Sequence, residues 1–288
     1  MIDRAVFFAQ VRANFRPLNQ SQVEGFNAIL DEWERSKGDD IRQLAYMLAT
    51  AWHETGTAMQ AIIETQQPGE GRVSVDTAIG RLNRSYAAGK LTWVKSPYWG
   101  RDAKGRSYLG RGLVQLTHAT NYRKLGDAIG VDLLANPDLA LDLRIAIRVM
   151  FVGMERGLFT GHSLDRHFHG VTADWVNARR IINGTERADV VAAHGRAFHV
   201  CLRAADRPGQ QPPPVTQRPP PPPAAPEKPA GGPAPSPAPI QPPAPQSPPA
   251  PTPAPARPIP VLPDPPPQQQ GWWAVLASAA RAWFYNRR

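Results

Sequence analysis

Cysteine is nearly absent. The 288-residue sequence holds one, Cys201, so no disulfide can form within the chain. That excludes the disulfide-stapled architecture of small secreted scaffolds. Long apolar runs are missing too, and none approaches the about 20 apolar residues that span a bilayer. The opening segment Met1–Phe8 is soon followed by Gln10, Arg12 and Arg16, unlike the continuous apolar core of a secretory signal. The expectation is a protein made soluble in the cytoplasm. Proline is scarce before residue 208: only Pro17, Pro68, Pro97 and Pro137 fall there, and the other 29 of the 33 crowd into the remaining residues. A run of basic residues interleaved with aromatics, the footprint of a nucleic-acid groove, is also lacking.

These absences divide the chain. Residues 1–207 have the length and apolar content of one domain with its own core. Residues 208–270 are dominated by proline and alanine, keep no hydrophobic period, and cannot bury enough surface to fold alone. They read as an extended spacer rising about 3.1 Å per residue. Residues 271–288 carry Trp272, Trp273, Leu276, Trp283 and Phe284 on one side of a helical wheel, with Arg281 and Arg288 facing away. That pattern suits an amphipathic helix lying on an anionic membrane surface, or one docking on a protein. The formal charge of +9 favours polyanionic partners, anionic cell wall among them, without choosing between them.

The first domain reads as mainly α. Val23, Phe26, Ile29, Leu30 and Trp33 show the spacing of one buried helix face over about residues 19–35. Asp39 or Asp40 caps a second helix, running through Ile41, Leu44, Leu48 and Trp52 to a stop at Gly56. Residues 65–107 form a long excursion with a helical piece near 76–82. Helical patterns return at 121–129, 139–156 and 187–205, and the most apolar stretch, 143–152, reads as the central buried helix. Gly112–Thr117 reads as a short extended segment that turns Gln115 and Thr117 to the same side.

Two groups of residues suggest chemistry. His53-Glu54 closes an apolar helix, which sets a carboxyl beside aromatic surface and raises its affinity for a proton, as a general acid requires. The zinc-protease pattern His-Glu-x-x-His is excluded because Thr57 stands where the second histidine would be. A second carboxyl is needed opposite the first, with Glu64 and Glu70 as candidates. On one continuous helix Glu54 and Glu64 would lie about 15 Å apart, whereas an inverting glycosidase places its pair about 6.5–9.5 Å apart. The chain must therefore bend, and Gly56 offers the place. Glu64, flanked by Ile62 and Ile63, is the better anchored. The aromatics Trp93, Tyr98 and Trp99 could present faces to sugars or pin their loop to the core. His162, His167 and His169 lie in a polar loop without the acid spacing of a metal site, and Cys201 lacks a partner that would make it a nucleophile.

The ordered set His53-Glu54-Thr55, Gly110-Arg111-Gly112-Leu113-Val114-Gln115-Leu116-Thr117-His118, Asn121-Tyr122 and Ile181-Ile182-Asn183-Gly184 resembles glycoside hydrolase family 19, which holds chitinases and the lysozyme-like endolysins of bacteriophages. The resemblance covers about residues 40–200. It implies a lysozyme-like, bilobal helical fold and single-displacement, inverting hydrolysis without metal or cofactor. By resemblance Glu54 is the general acid, Glu64 the second catalytic carboxylate, and Thr117 the hydroxyl that helps position water. Gln115, Asn121 and Asn183 match glycan-binding positions, His53 and His118 count with them as substrate-binding residues, and Glu186 and Arg196 correspond to charged groups supporting the acid. Basic charge, the lack of disulfides and the tail favour a monomeric endolysin acting on peptidoglycan. A chitinase is the alternative, and an inactive glycan-binding or effector module the second.

Overall fold

The computed structural model describes residues 1–206 apart from Pro68 and Trp93. The spacer of 208–270 and the tail helix of 271–288 lie outside the described residues. Within them the chain is mainly helical: α1 (Arg4–Asn14), α2 (Gln20–Ser36), α3 (Ile41–Glu54), α4 (Val75–Ala87), α5 (Ala119–Ile129), α6 (Leu143–Glu155), α7 (Leu164–His167) and α8 (Ala188–Ala205). Two antiparallel pairs of two-residue strands complete the fold, β1 (Ile62–Ile63) with β2 (Arg111–Gly112) and β3 (Phe168–His169) with β4 (Thr172–Ala173). The last described residue, Asp206, bridges to Ile2, and Asp3 N donates to Ala205 O at 2.9 Å.

α1, α2, α3, α4 and α6 begin where a side chain satisfies orphan amides. Asn19 and Gln22 form a reciprocal capping box on α2, Asp40 caps α3, and Asp142 accepts from the amides of Arg144 and Ile145 at the head of α6. That last cap explains a correction. The apolar pattern over 139–156 is two elements, a 3-10 turn Pro137–Leu141 and then α6, because Asp142 ends one and starts the next. The sequence reading left α1 unassigned; its apolar Phe7, Phe8 and Val11 form one buried face, and Asp3 caps it.

The central buried helix is α3 rather than α6. Every residue from Leu44 to Trp52 is buried, as expected of a helix surrounded by others. It packs on α8, which also carries α1. Trp52 lies among Phe15, Phe26 and Phe198, with Phe15 and Phe198 stacked at 4.3 Å. A smaller core of Ile63, Val73, Ala78, Leu82, Leu91, Val94, Trp99 and Leu109 gathers around α4. The 65–107 excursion is thus a packed substructure with its own apolar centre.

α2 is pressed against the turn that comes after α3. A Cβ at Gly25 would stand 1.8 Å from the carbonyl oxygen of Met59. Alanine gains about 1 kcal/mol of helix propensity over glycine, but relief of a backbone collision typically costs about 1–3 kcal/mol or more. Gly25→Ala is therefore expected to destabilise the domain by about 2 kcal/mol in urea unfolding. A stabilised variant would show that the close approach is not maintained in solution.

Candidate active site

Glu54 is the last residue of α3 and is 1% exposed. Tyr46, Thr50 and Glu54 recur every fourth residue, so the most buried helix carries a single polar stripe. Trp52 lies about two positions round from Glu54 and turns into the aromatic core. The aromatic setting expected for the carboxyl is accordingly replaced by an ionic one. Arg179, itself 1% exposed, donates from Nη1 to Glu54 Oε1 at 2.7 Å. Its Nε donates to the carbonyl of Glu186 at 3.3 Å, and the Glu186 carboxyl stands within electrostatic reach of both Arg179 and Glu54. Burial raises the proton affinity of Glu186 above the usual carboxylate range; Arg179 and Arg187 oppose the shift and the Glu54 charge reinforces it. Burial likewise pushes the Tyr46 phenol upward, with Arg179 opposing and Glu54 reinforcing, so Tyr46 stays neutral.

The bend required between the two acids is built tightly. Gly56, Thr57 and Met59 all have positive φ, and Thr55 Oγ1 donates to Ala51 O at 2.7 Å while accepting from Met59 N at 3.0 Å. β1 comes next, and Glu64 stands directly after it. Glu64 is 4% exposed, and its position is set by backbone. Its amide donates to Gly110 O at 2.7 Å, while Gly110 N donates to Glu64 Oε2 at 2.8 Å. A Cβ on Gly110 would meet Gln115 Oε1 at 2.9 Å and Glu64 Oε2 at 3.3 Å, so this glycine makes room for the carboxylate. Tyr98 Oη donates to the other oxygen, Oε1, at 2.5 Å. Glu70 is committed elsewhere. Arg81 grips both its oxygens, at 2.5 and 2.8 Å, and this pairing holds its carboxyl at about 2. A carboxylate of so little basicity, closing a loop on α4, is a poor second catalytic acid.

The segment after Gly110 is a tight reversal, and the extended reading of Gly112–Thr117 is corrected. Arg111 and Leu116 exchange backbone hydrogen bonds at 3.1 and 2.8 Å, and Gln115 adopts a left-handed φ of 54° at the turn. The Gln115 amide folds back to donate to Ile62 O and Gly112 O, at 3.2 and 3.1 Å, fastening the reversal to β1. Its donor group is therefore spent on the fold. Arg111 is buried, donating to Ser107 O, Leu109 O and the Tyr122 hydroxyl and pairing with Asp138 at 2.8 Å.

Thr117 is half-buried just beyond, and buried His118 precedes α5 with its ring 5.1 Å from that of Tyr98. Asn121 lies in the first turn of α5, where its Oδ1 is buried without a hydrogen-bond donor among the described residues. Asn183 comes after the 3-10 turn Asn177–Ile181 that supplies Arg179, and its Nδ2 is buried without an acceptor among the described residues. His53 is half-buried beside Glu54.

Arg196 does not join this group. It is exposed on α8, and the guanidinium on Glu54 comes from Arg179, which sequence reasoning missed. Trp93 lies outside the described residues. Trp99 is a pin: fully buried, it donates from Nε1 to Asn83 Oδ1 at 2.7 Å. Of the loop histidines, His162 and His167 meet each other at 3.2 Å, while His169 turns to Asp165 O at 2.7 Å. A surface concavity of about 720 Å³, lined by Asp40, Arg42, His199 and Arg203 among others, sits at the start of α3, the opposite end of that helix from Glu54.

Removing one member of a buried ion pair typically costs about 3–5 kcal/mol, because the other is left charged and unsolvated. Arg179→Met should lose about that much in urea unfolding at pH 7. Combined with Glu54→Gln, the loss should fall short of the sum of the single losses by at least about 1 kcal/mol. Strict additivity would mean that the contact contributes no coupling.

Comparison with known proteins adds to this geometry. Residues 25–153 match the family described as chitinase class I of glycoside hydrolase family 19. Endochitinase 4 of Solanum tuberosum and the basic 30 kDa endochitinase of Solanum lycopersicum are each 62% identical to this chain over 37 residues. Those residues are 13% of this chain and 12% of either relative, so the match spans a small part of their length. Among solved structures, chitinase C from Streptomyces griseus is 21% identical, covering 68% of this chain and 76% of its own, with a TM-score of 0.39. A bacterial family 19 chitinase is 23% identical, covering 68% and 95%, with a TM-score of 0.40. The region that carries Glu54, Glu64 and the Gly-Arg-Gly reversal is the part of the chain that matches glycoside hydrolase family 19.

Proposed function

We propose that this chain is an inverting glycosidase that hydrolyses β-1,4 bonds in a polymer of N-acetylated amino sugar, with chitin as the first substrate class. One observation carries the reading: a fully buried glutamate at the end of a family 19 core helix, held by a buried arginine. Glu54 gives its proton to the leaving oxygen and becomes a carboxylate in a site shielded from water. Arg179 lowers the cost of that charge, which grows as the proton departs. Glu186, whose affinity for a proton is raised mainly by burial, stands within electrostatic reach of the same guanidinium. Glu64, a carboxylate fixed by hydrogen bonds to both oxygens, steers the attacking water, assisted by the Thr117 hydroxyl. Asn121 and Asn183 each keep a polar atom for the glycan.

The names of the relatives favour chitin over the peptidoglycan expected from the sequence. Peptidoglycan is the second reading, supported by the formal charge of +9, which suits an anionic wall polymer. The two share the linkage chemistry and separate by assay. With purified N-acetylglucosamine hexamer and purified murein offered side by side, hydrolysis of the hexamer is expected. Release from murein alone would exchange the two readings, and hydrolysis of neither would end both. Glu54→Gln should lower kcat/KM by about 10²–10⁴-fold with the helical circular dichroism kept. Undiminished turnover would remove Glu54 from the mechanism.

A further inference from the structure

Tyr98 is a side chain the sequence left between two uses, a face for sugars or a pin for its loop. The structure gives it another. Its hydroxyl meets Glu64 Oε1 at 2.5 Å, while Gly110 N meets Oε2 at 2.8 Å, so each carboxylate oxygen of Glu64 accepts a hydrogen bond from a fixed donor.

The phenol is held by a rigid support. The adjoining Trp99 is buried in the smaller core, tied through Nε1 to Asn83, and its carbonyl accepts from Ser107 Oγ at 2.7 Å. The rings of Tyr98 and Trp99 meet edge to face at 5.0 Å, and the His118 ring lies 5.1 Å away on the next segment. Burial drives the Tyr98 phenol well above its ordinary range, and the Glu64 charge and hydrogen bond push it further the same way. Over any pH at which a carboxylate works, Tyr98 is therefore a donor. A donor aimed at a carboxylate favours the ionised form over the protonated one. An inverting base must be ionised to take a proton from water, so loss of that ionisation sets the low-pH limit of the reaction.

We propose that Tyr98 is a positioning residue for Glu64: its phenol fixes the carboxylate's orientation and keeps it ionised, and this contact sets the acid limit of hydrolysis. The inference rests on the reading of Glu64 as the group that steers the attacking water. It gives the 65–107 substructure a purpose, since the small core around α4 supports the donor that conditions the base.

The test uses the full chain and Tyr98→Phe, which retains the ring contacts with Trp99 and His118. The dependence of kcat/KM on pH is measured on N-acetylglucosamine hexamer, beside an NMR titration of the 13C-labelled Glu64 carboxyl. Loss of a charge-assisted hydrogen bond should move the acid limb and the carboxyl midpoint upward together, by about one pH unit. Activity then falls about tenfold on the acid side and much less at neutral pH. Replacing Tyr98 with 3-fluorotyrosine, a more acidic phenol and a stronger donor, should move both the opposite way, and this variant preserves the hydroxyl if the phenylalanine variant fails to fold. An acid limb and midpoint that stay in place, with activity reduced evenly at every pH, would overturn the proposal and leave Tyr98 a packing residue. If the unaltered chain hydrolyses nothing, the functional reading falls, yet the carboxyl midpoint still decides the contact: upward movement in Tyr98→Phe sustains it and no movement ends it.

Discussion

A carboxylate cannot form in a protein interior without a partner, and the contact of Glu54 with Arg179 at 2.7 Å, ready for the charge left when the proton departs, is the one on which the proposed site depends. Both side chains are almost wholly removed from solvent. An apolar pair of similar volume would serve stability as well or better. The polar stripe of Tyr46, Thr50 and Glu54 on the most buried helix is therefore not explained by stability alone, and the proposed chemistry gives it a use. Arg179 must be delivered to it, and the 3-10 turn Asn177–Ile181 does so, with Ala178 and Ile181 buried on either side of it. The core of α3, α1 and α8 can be viewed as the frame that keeps this pair dry.

Glu64 is fixed by a different means. Its orientation comes from backbone reciprocity with Gly110 and from a phenol. The β1–β2 pairing sets the register, Ile62 opposite Gly112 and Ile63 opposite Arg111, and Gln115 locks the reversal to β1. Arg111 then braces the reversal from beneath through three carbonyl or hydroxyl oxygens and Asp138. One acid is thus a helix-borne group conditioned by charge, and the other a strand-end group conditioned by hydrogen bonds. Two carboxyls with different surroundings are what acid and base roles require.

Much of this was legible in the sequence, for identifiable reasons. α2 and α3 announce themselves by apolar spacing and by Asn19 and Asp40, because burial and capping act locally. Glu54 and Glu64 stand out because each is an acid among apolar residues. Arg179 was hidden: in Asn177-Ala178-Arg179-Arg180 nothing local distinguishes the arginine that turns inward from its exposed neighbour. The only signal is the apolar frame of Trp175, Ala178, Ile181 and Ile182, all buried, which points that side of the turn to the core. Arg196 was named through the family resemblance alone, and it is exposed on α8. The Gly112–Thr117 segment misled because alternation reads the same in a strand and in a reversal, and the left-handed φ at Gln115 has no sequence mark such as glycine. Tyr98 could not be assigned, since its partner lies 34 residues away.

Inverting hydrolysis stands on a water that attacks the sugar from the face opposite Glu54, guided by a second carboxylate. Its most direct test is the anomeric form of the first product, tracked by proton NMR from the earliest moments of hexamer hydrolysis, before mutarotation blurs the signal. Direct displacement at a β-linkage predicts that the new reducing ends appear as the α-anomer and drift towards the equilibrium mixture. Initial appearance of the β-anomer would mean that the bond is cut with retention, and would contradict the assignment of Glu54 as acid and Glu64 as base.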